Sequence, residues 1–240
     1  MSKKRILIKL SGEAMKGERE FGFDYAMVDH FANEIGELSK THEVAIVLGA
    51  GNIWRYSDNK DSGLDRVQSD TMGMMATLMN ANMLSERMKK IGLDTIIYSP
   101  PAINVDILAE RYNSIKARKS LSEGKIVFCA GGTGSPFFTT DSAAALRAAE
   151  LNCHTILKAT SVDGVYDSDP NKNPDAKKFD EISFKDVIFK GLKVMDQTAF
   201  VLSKEAGTDI FIFNMKGKGN FKKADEGDYS IGTHVFNENN

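Results

Sequence analysis

Short apolar runs alternate along the chain with longer segments whose apolar positions recur at helical spacing. Lys3 to Leu10 is a basic start running into an apolar strand, and Glu43 to Leu48, Thr95 to Tyr98, Lys125 to Cys129, His154 to Ala159 and Ile210 to Phe213 are further mainly apolar stretches, the mark of strands buried on both faces. Between them, Phe23 to Leu38 carries Ala26, Met27, Phe31, Ile35 and Leu38 at helical spacing. Arg66 to Ile91, Ile107 to Arg118, Ala143 to Leu151, Phe184 to Phe189 and Gln197 to Ala206 read as further helices, and Phe221 to Gly227 with His234 to Phe236 closes the chain. Strand and helix in alternation predict an α/β fold whose mostly parallel central sheet is covered on both faces. No Pro- or Ser-rich linker breaks the order, so residues 1–240 are expected to form a single domain.

The strand ends carry the chemistry. Gly131-Gly132-Thr133-Gly134-Ser135-Pro136-Phe137-Phe138-Thr139-Thr140-Asp141-Ser142 lies between a strand and a helix start. Its glycines permit close backbone approach and positive φ, while its hydroxyls and the free N–H groups of the helix offer donors to an anion. Pro136-Phe137-Phe138 adds a rigid apolar insert suited to a flat base or sugar. The competing reading is a glycine turn capped by Ser142 with two core phenylalanines. Lys9 precedes Ser11-Gly12 at another strand's carboxyl end, where open α/β sheets gather ligands, although a solvated lysine would fit there too. Gly49-Ala50-Gly51-Asn52-Ile53-Trp54-Arg55 joins a glycine turn to a forked donor for phosphate oxygens, without the third glycine of a dinucleotide fingerprint. After Thr160 a turn-rich loop offers Asp163, Tyr166 and Asp169, which would suit a purine and its ribose or make a plain surface loop. A parallel sheet sets the ends at Lys9, Gly49, Gly131 and Thr160 along one edge, and that convergence points to a nucleotide.

Composition narrows the partners. A net charge of −2 without a long basic block argues against nucleic acid or an anionic membrane. The apolar run Ile6 to Leu10 is too short for a signal-peptide core or a membrane span, so a cytoplasmic location is expected. Cys129 and Cys153 lack CxxC spacing, and His30, His42, His154 and His234 form no ligand pair, so neither a disulfide nor a zinc site is expected. The helix from Arg66 carries Met72, Met74, Met75, Met79, Met83 and Met88, a stripe that suits core or a subunit interface rather than a cofactor site, with the interface favoured because six exceed what one helix face usually buries. Asp70, near that helix's first turn, either caps it or accepts bonds from sugar hydroxyls.

These residues give the chain a resemblance, from Lys3 to Phe236, to the bacterial uridylate kinase branch of the amino acid kinase family. It is carried by Lys9-Leu10-Ser11-Gly12-Glu13-Ala14, Gly51-Asn52 with Arg55, Asp70 with Met72-Gly73-Met74, Gly132-Thr133-Gly134 with Pro136 to Asp141, and Lys158-Ala159-Thr160 with Val162-Asp163-Gly164-Val165-Tyr166 and Asp169-Pro170. The resemblance implies an αβα sandwich, a homohexamer, and transfer of the γ-phosphoryl group of ATP to UMP with Mg²⁺, giving UDP for pyrimidine nucleotide synthesis. It assigns Lys9, Leu10, Ser11, Gly12, Gly51 and Arg55 to the ATP phosphates, and Thr160, Tyr166 and Asp169 to the base and ribose of ATP. UMP falls to Ala50, Asp70, Thr133, Gly134, Ser135, Pro136, Phe137, Phe138, Thr139 and Thr140. The charged loop Gly17-Glu18-Arg19-Glu20-Phe21-Gly22 matches one through which GTP activates, while UTP inhibits. Ala50 and Tyr56 depart from the pattern, which usually has glycine at both, and Lys158 is a candidate for a second phosphate-binding lysine.

No Walker A motif and no HRD or DFG set is present. Positioning and positive charge, which loose phosphoryl transfer mainly requires, are therefore left to Lys9, Arg55, glycine N–H groups and nucleotide-bound Mg²⁺, with no dedicated protein metal site. Lys9, Arg55 and Asp141 are the expected catalytic residues, Asp141 holding Lys9 or the metal unless it simply caps its helix. Two other readings remain: a kinase of the same superfamily for an amino acid, carbamate or isopentenyl phosphate, and a non-catalytic nucleotide-binding storage or regulatory protein.

Overall fold

The structure, a computed structural model, describes residues 3–168, 170, 172–192 and 194–238, without the side chain of Lys60. Its strands are β1 (Lys4–Leu10), β2 (His42–Leu48), β3 (Thr95–Ser99), β4 (Glu110–Arg111), β5 (Ile126–Cys129), β6 (Thr155–Thr160), β7 (Val165–Tyr166), β8 (Lys178–Phe179), β9 (Glu181–Ser183), β10 (Asp209–Asn214) and β11 (Gly232–Phe236). Apart from the β7–β8 ribbon, they form one nine-stranded sheet in the order β4-β3-β5-β2-β1-β6-β10-β11-β9. Only the β10–β11 pairing in that sheet is antiparallel.

Helices α1 (Tyr25–Ser39), α2 (Arg66–Lys90), α3 (Ser114–Ser122), α4 (Thr140–Leu151), α5 (Phe184–Phe189), α6 (Gln197–Ala206) and α7 (Asn220–Asp225) cover both faces. One core layer joins α1, α2 and α7 to Ile6, Ile8, Leu10, Ile46 and Phe213. The other joins α3 to α6 with Leu7, Val47, Ile156 and Ile212. This is the αβα sandwich the alternating pattern predicts. Because successive strand residues point to opposite faces, Lys9 shares the face of Leu7 and looks toward α4, as Lys158 does beside Ile156. Asp24, Asp65, Asn113, Thr139, Ser183 and Asp196 each cap a helix by accepting backbone N–H groups, contacts worth about 1 kcal/mol each.

Strands β7, β8 and β9 are not among the runs the sequence pattern marks, and two helices differ from it. The helix expected over Ile107 to Arg118 begins only at Ser114. Tyr112 N–H donates to the Ser99 carbonyl at 2.7 Å, Glu110 and Arg111 pair with β3, and Asn113 caps the helix, so the chain is extended just where the apolar spacing mimics a helix. Ile107, counted into that spacing, is 90% exposed. The helix expected from Ala143 starts at Thr140 and is capped by Thr139, not Ser142, which brings Asp141 into its first turn.

Candidate active site

β5, β2, β1 and β6 are adjacent and parallel, so Cys129, Leu48, Leu10 and Thr160 end on one rim. The strand order reverses at β1: the chain moves to β2 on one side and returns as β6 on the other, and a crevice opens beyond the carboxyl ends at such a point. Lys9 and Lys158 are register partners across β1 and β6. They are only 8% and 6% exposed, and both ammonium groups meet one carboxylate. Lys9 Nζ lies 2.8 Å from Asp141 Oδ1, and Lys158 Nζ donates to Asp141 Oδ2 at 2.7 Å and to the Val194 carbonyl at 2.5 Å.

Two cations share one directly bound carboxylate, with Asp196 acting on Lys158 as a weaker second anion. Burial alone would push the Asp141 carboxyl up, but the flanking ammonium groups outweigh it and hold the group below the usual carboxylate range. Burial also brings Lys158 down to about 8, with Lys9 adding to the effect and Asp141 opposing it. The Thr139 hydroxyl does the capping, accepting the N–H groups of Asp141 and Ser142, and it donates to Asp196, as does the Ser142 hydroxyl at 3.0 Å. Asp141 is thus spared the cap and faces the lysines from a helix start that favours its negative charge.

The two glycine turns beside Lys9 touch backbone to backbone. A Cβ on Gly12 would lie 2.5 Å from the Gly49 carbonyl oxygen, and one on Gly49 would lie 2.8 Å from the Gly12 nitrogen. Behind them, the buried amides of Asn52 and Asn80 exchange hydrogen bonds at 2.9 and 2.7 Å, and Asn80 donates to the Gly49 carbonyl. Ala50 does not have positive φ, so the backbone accommodates its methyl without strain.

A cavity of about 400 Å³ opens over these turns, lined by Lys9, Ser11, Gly12, Ala50, Gly51, Arg55, Asp70, Thr133, Ser135, Phe138, Thr139 and Thr140 among others. A second, of about 640 Å³, shares Ser11 and is lined by Glu13, Gly17, Glu18, Thr160, Ser161, Met215 and Lys216. Arg55 pairs with Glu13 at 2.5 Å and so stands between the two. Gly22 and Asn52 exchange hydrogen bonds at 2.8 and 3.0 Å, tying the 17–22 loop to the glycine turn after β2. Tyr166 lies on the β7–β8 ribbon, donates its hydroxyl to Asp163 at 2.8 Å and is absent from the lining of both cavities. Asp169 lies outside the described residues.

Asp70 is not a cap, because Asp65 caps α2. Instead it accepts Arg66 Nε and the N–H of Phe137. Phe137 and Phe138 are 67% and 52% exposed, which removes the core-phenylalanine reading. Phe137 holds a φ of 70°, a conformation costing on the order of 1–3 kcal/mol for such a residue. The methionine stripe divides: Met88 is buried, Met74 and Met83 pack on the core, and Met72, Met75 and Met79 are exposed. Sequence reasoning does not single out Arg66. Its one sequence signal is the Arg66–Asp70 pair at i,i+4. Lys158 carries a clearer one, a lysine set inside a buried strand just as Lys9 is.

Comparison with known proteins agrees with this geometry. The model of the amino acid kinase family matches residues 4–214. A uridylate kinase of Rickettsia massiliae is 46% identical over 230 residues, covering 95% of this chain and 94% of that protein. One of Streptococcus thermophilus is 45% identical over 237 residues, covering 98% and 96%. The crystal structure of UMP kinase from Ureaplasma parvum superposes with a TM-score of 0.93 at 38% identity, covering 98% of this chain and all of that one. Sheet order, rim geometry and full-length similarity converge, and the chain belongs to the amino acid kinase family.

Proposed function

We propose that this protein is a UMP kinase, transferring the γ-phosphoryl group of ATP to UMP. The observation that carries the reading is the Lys9–Asp141–Lys158 cluster, two ammonium groups on one directly bound carboxylate, on the rim where two cavities adjoin. In this reading ATP occupies the cavity lined by Thr160, Ser161 and Lys216, and UMP the one lined by Asp70, Thr133, Ser135, Phe138, Thr139 and Thr140, which Gly134, Pro136 and Phe137 do not line. A UMP phosphate oxygen, already ionised at neutral pH, attacks the γ-phosphorus, the bond to the bridging oxygen breaks, and ADP leaves. No general base is needed. Lys9, Lys158 and Arg55 take up charge on the transferred group, with glycine N–H groups as further donors. Asp141 keeps both lysines aimed and charged without meeting substrate itself. Asp70 accepts a sugar hydroxyl of UMP, and Phe138 of the 135–138 insert lies against its base. Magnesium arrives as part of the substrate, on the phosphates of ATP, where it offsets their charge; both Asp141 oxygens are already engaged by lysines.

Regulation and assembly belong to the same proposal. The link between Gly22 and Asn52 supports an effector role for the 17–22 loop, with GTP activating and UTP inhibiting. Exposed Met72, Met75 and Met79 on α2 support a homohexamer, to be measured by sedimentation. Among the described residues no helix is long and apolar enough to cross a membrane, which fits a cytoplasmic enzyme of pyrimidine nucleotide synthesis. A coupled assay with UMP, CMP, aspartate and isopentenyl phosphate as acceptors, with and without GTP, tests the activity. UDP formation from UMP is expected, and preference for another acceptor, or ATP use without phosphorylated product, would overturn it.

A further inference from the structure

Arg66 is the first residue of α2, near the positive end of the helix dipole, and no acidic residue in that first turn offsets it. What holds a cation there lies across the mouth of the smaller cavity. Arg66 Nε donates to both oxygens of Asp70, at 2.7 and 2.8 Å. Its guanidinium carbon stands 4.7 Å from the ring centroid of Tyr56 and 5.5 Å from that of Phe137. Tyr56 follows the glycine turn after β2, while Phe137 sits in the glycine loop after β5, so one side chain ties together two loops and a helix. Asp70 Oδ2 accepts the Phe137 N–H at 2.7 Å and so supports a backbone conformation that phenylalanine rarely adopts. A carboxylate has about four acceptor positions, so after these three bonds Asp70 retains about one, on Oδ1, for a ligand hydroxyl.

We propose that Arg66 and Tyr56 are positioning residues for the acceptor nucleotide. Arg66 orients the Asp70 carboxylate toward the vicinal hydroxyls of the ribose, and the Tyr56–Arg66–Phe137 stack fixes the loop beside them. The pair therefore sets discrimination between ribose and deoxyribose acceptors. This rests on the UMP kinase reading for the identity of the acceptor, but the strap exists in the ligand-free protein and can be tested there.

Steady-state kinetics with UMP and dUMP would be measured for Arg66→Met, Arg66→Lys, Tyr56→Leu and the double variant Tyr56→Leu/Arg66→Met. Arg66→Met is expected to raise KM for UMP about tenfold, leave kcat and KM for ATP within about threefold, and erase about tenfold of the preference for UMP over dUMP. Arg66→Lys, which keeps the charge on Asp70, should recover part of that preference. Tyr56→Leu should raise KM for UMP about threefold and add nothing in the double variant, where the stack is already lost. Equal losses on the ATP and UMP sides, or additive effects of the two substitutions, would overturn the proposal. The ligand-free readout is hydrogen exchange at the Phe137 amide, expected to accelerate about tenfold in Arg66→Met. Unchanged exchange sinks the strap whatever the acceptor is. Failure of the unaltered protein to phosphorylate UMP sinks the activity reading instead, and leaves exchange to decide this one. Should Arg66→Met fold poorly, Tyr56→Leu carries the exchange comparison, since it removes a ring and spares the Arg66–Asp70 ion pair.

Discussion

Strand β1 carries two cations on one face, the half-buried Arg5 and the buried Lys9, and they live in opposite circumstances. Near the amino end, Arg5 Nε donates to Glu43 at 2.8 Å, and the guanidinium also donates to the Leu151 carbonyl, so one cation meets one anion. At the carboxyl end, Lys9 shares Asp141 with Lys158, so two cations meet one directly bound carboxylate. The balanced pair closes the sheet. The unbalanced cluster leaves charge to be completed by something from outside, and a phosphate group is suited to that. A buried charge is costly unless compensated, so an imbalance maintained at a strand end points to a ligand rather than to stability.

The largest expected effect separates the two ends by activity. Lys9→Ala should lower kcat by about 10²–10³-fold, the range for losing one preorganised electrostatic contact, while the thermal midpoint stays near that of the unaltered protein because a like-charge repulsion disappears with it. Turnover within tenfold of normal would remove Lys9 from the chemistry. Arg5→Met should do the reverse. About 1.5–3 kcal/mol of stability is expected to go with the charged hydrogen bonds, read as a shift in urea midpoint, with kcat per folded molecule unchanged.

A smaller effect concerns pH. Lys158 titrates at about 8 when folded against an ordinary 10.5, so between those values the unfolded chain binds more protons. Stability from this group therefore rises with pH across that window, while kcat/KM falls as the ammonium is lost above about 8. Opposite slopes of stability and activity, both flattened in Lys158→Met, are the expected signature. The smallest effect lies at the far side of the sheet, where His234 bonds Asp209 at 3.1 Å and Glu181 at 3.3 Å. Its pKa is raised, first by the hydrogen bond to Asp209. The stability it contributes is full below the ordinary histidine value of 6.5 and fades as pH rises through the raised one. His234→Gln should thus lower the thermal midpoint modestly at pH 5.5 and hardly at all at pH 9.

Much of the fold was legible in the sequence because strands buried on both faces announce themselves as apolar runs, and those runs fixed the rim. The pairing of Lys9 with Lys158 was half legible: Ile8-Lys9-Leu10 and Leu157-Lys158-Ala159 repeat one pattern, but only register across β1 and β6 puts the lysines side by side. Arg66 was hidden because its partners, Tyr56 and Phe137, are distant in sequence and meet only through tertiary packing. The 107–113 segment was misread because Leu108, Tyr112 and Ile115 recur at helical spacing, whereas the edge of the sheet offered Glu110 and Arg111 a competing hydrogen-bond partner.

The contact between Gly12 and Gly49 has a consequence for how such a protein can diversify. With no room for even a methyl group between them, the first and second strand ends behave as a single welded joint, and neither can be lengthened or re-shaped without dislodging its mate. A change in what the smaller cavity accepts has to be written into its outer loop at 132–139, with the weld left as it is.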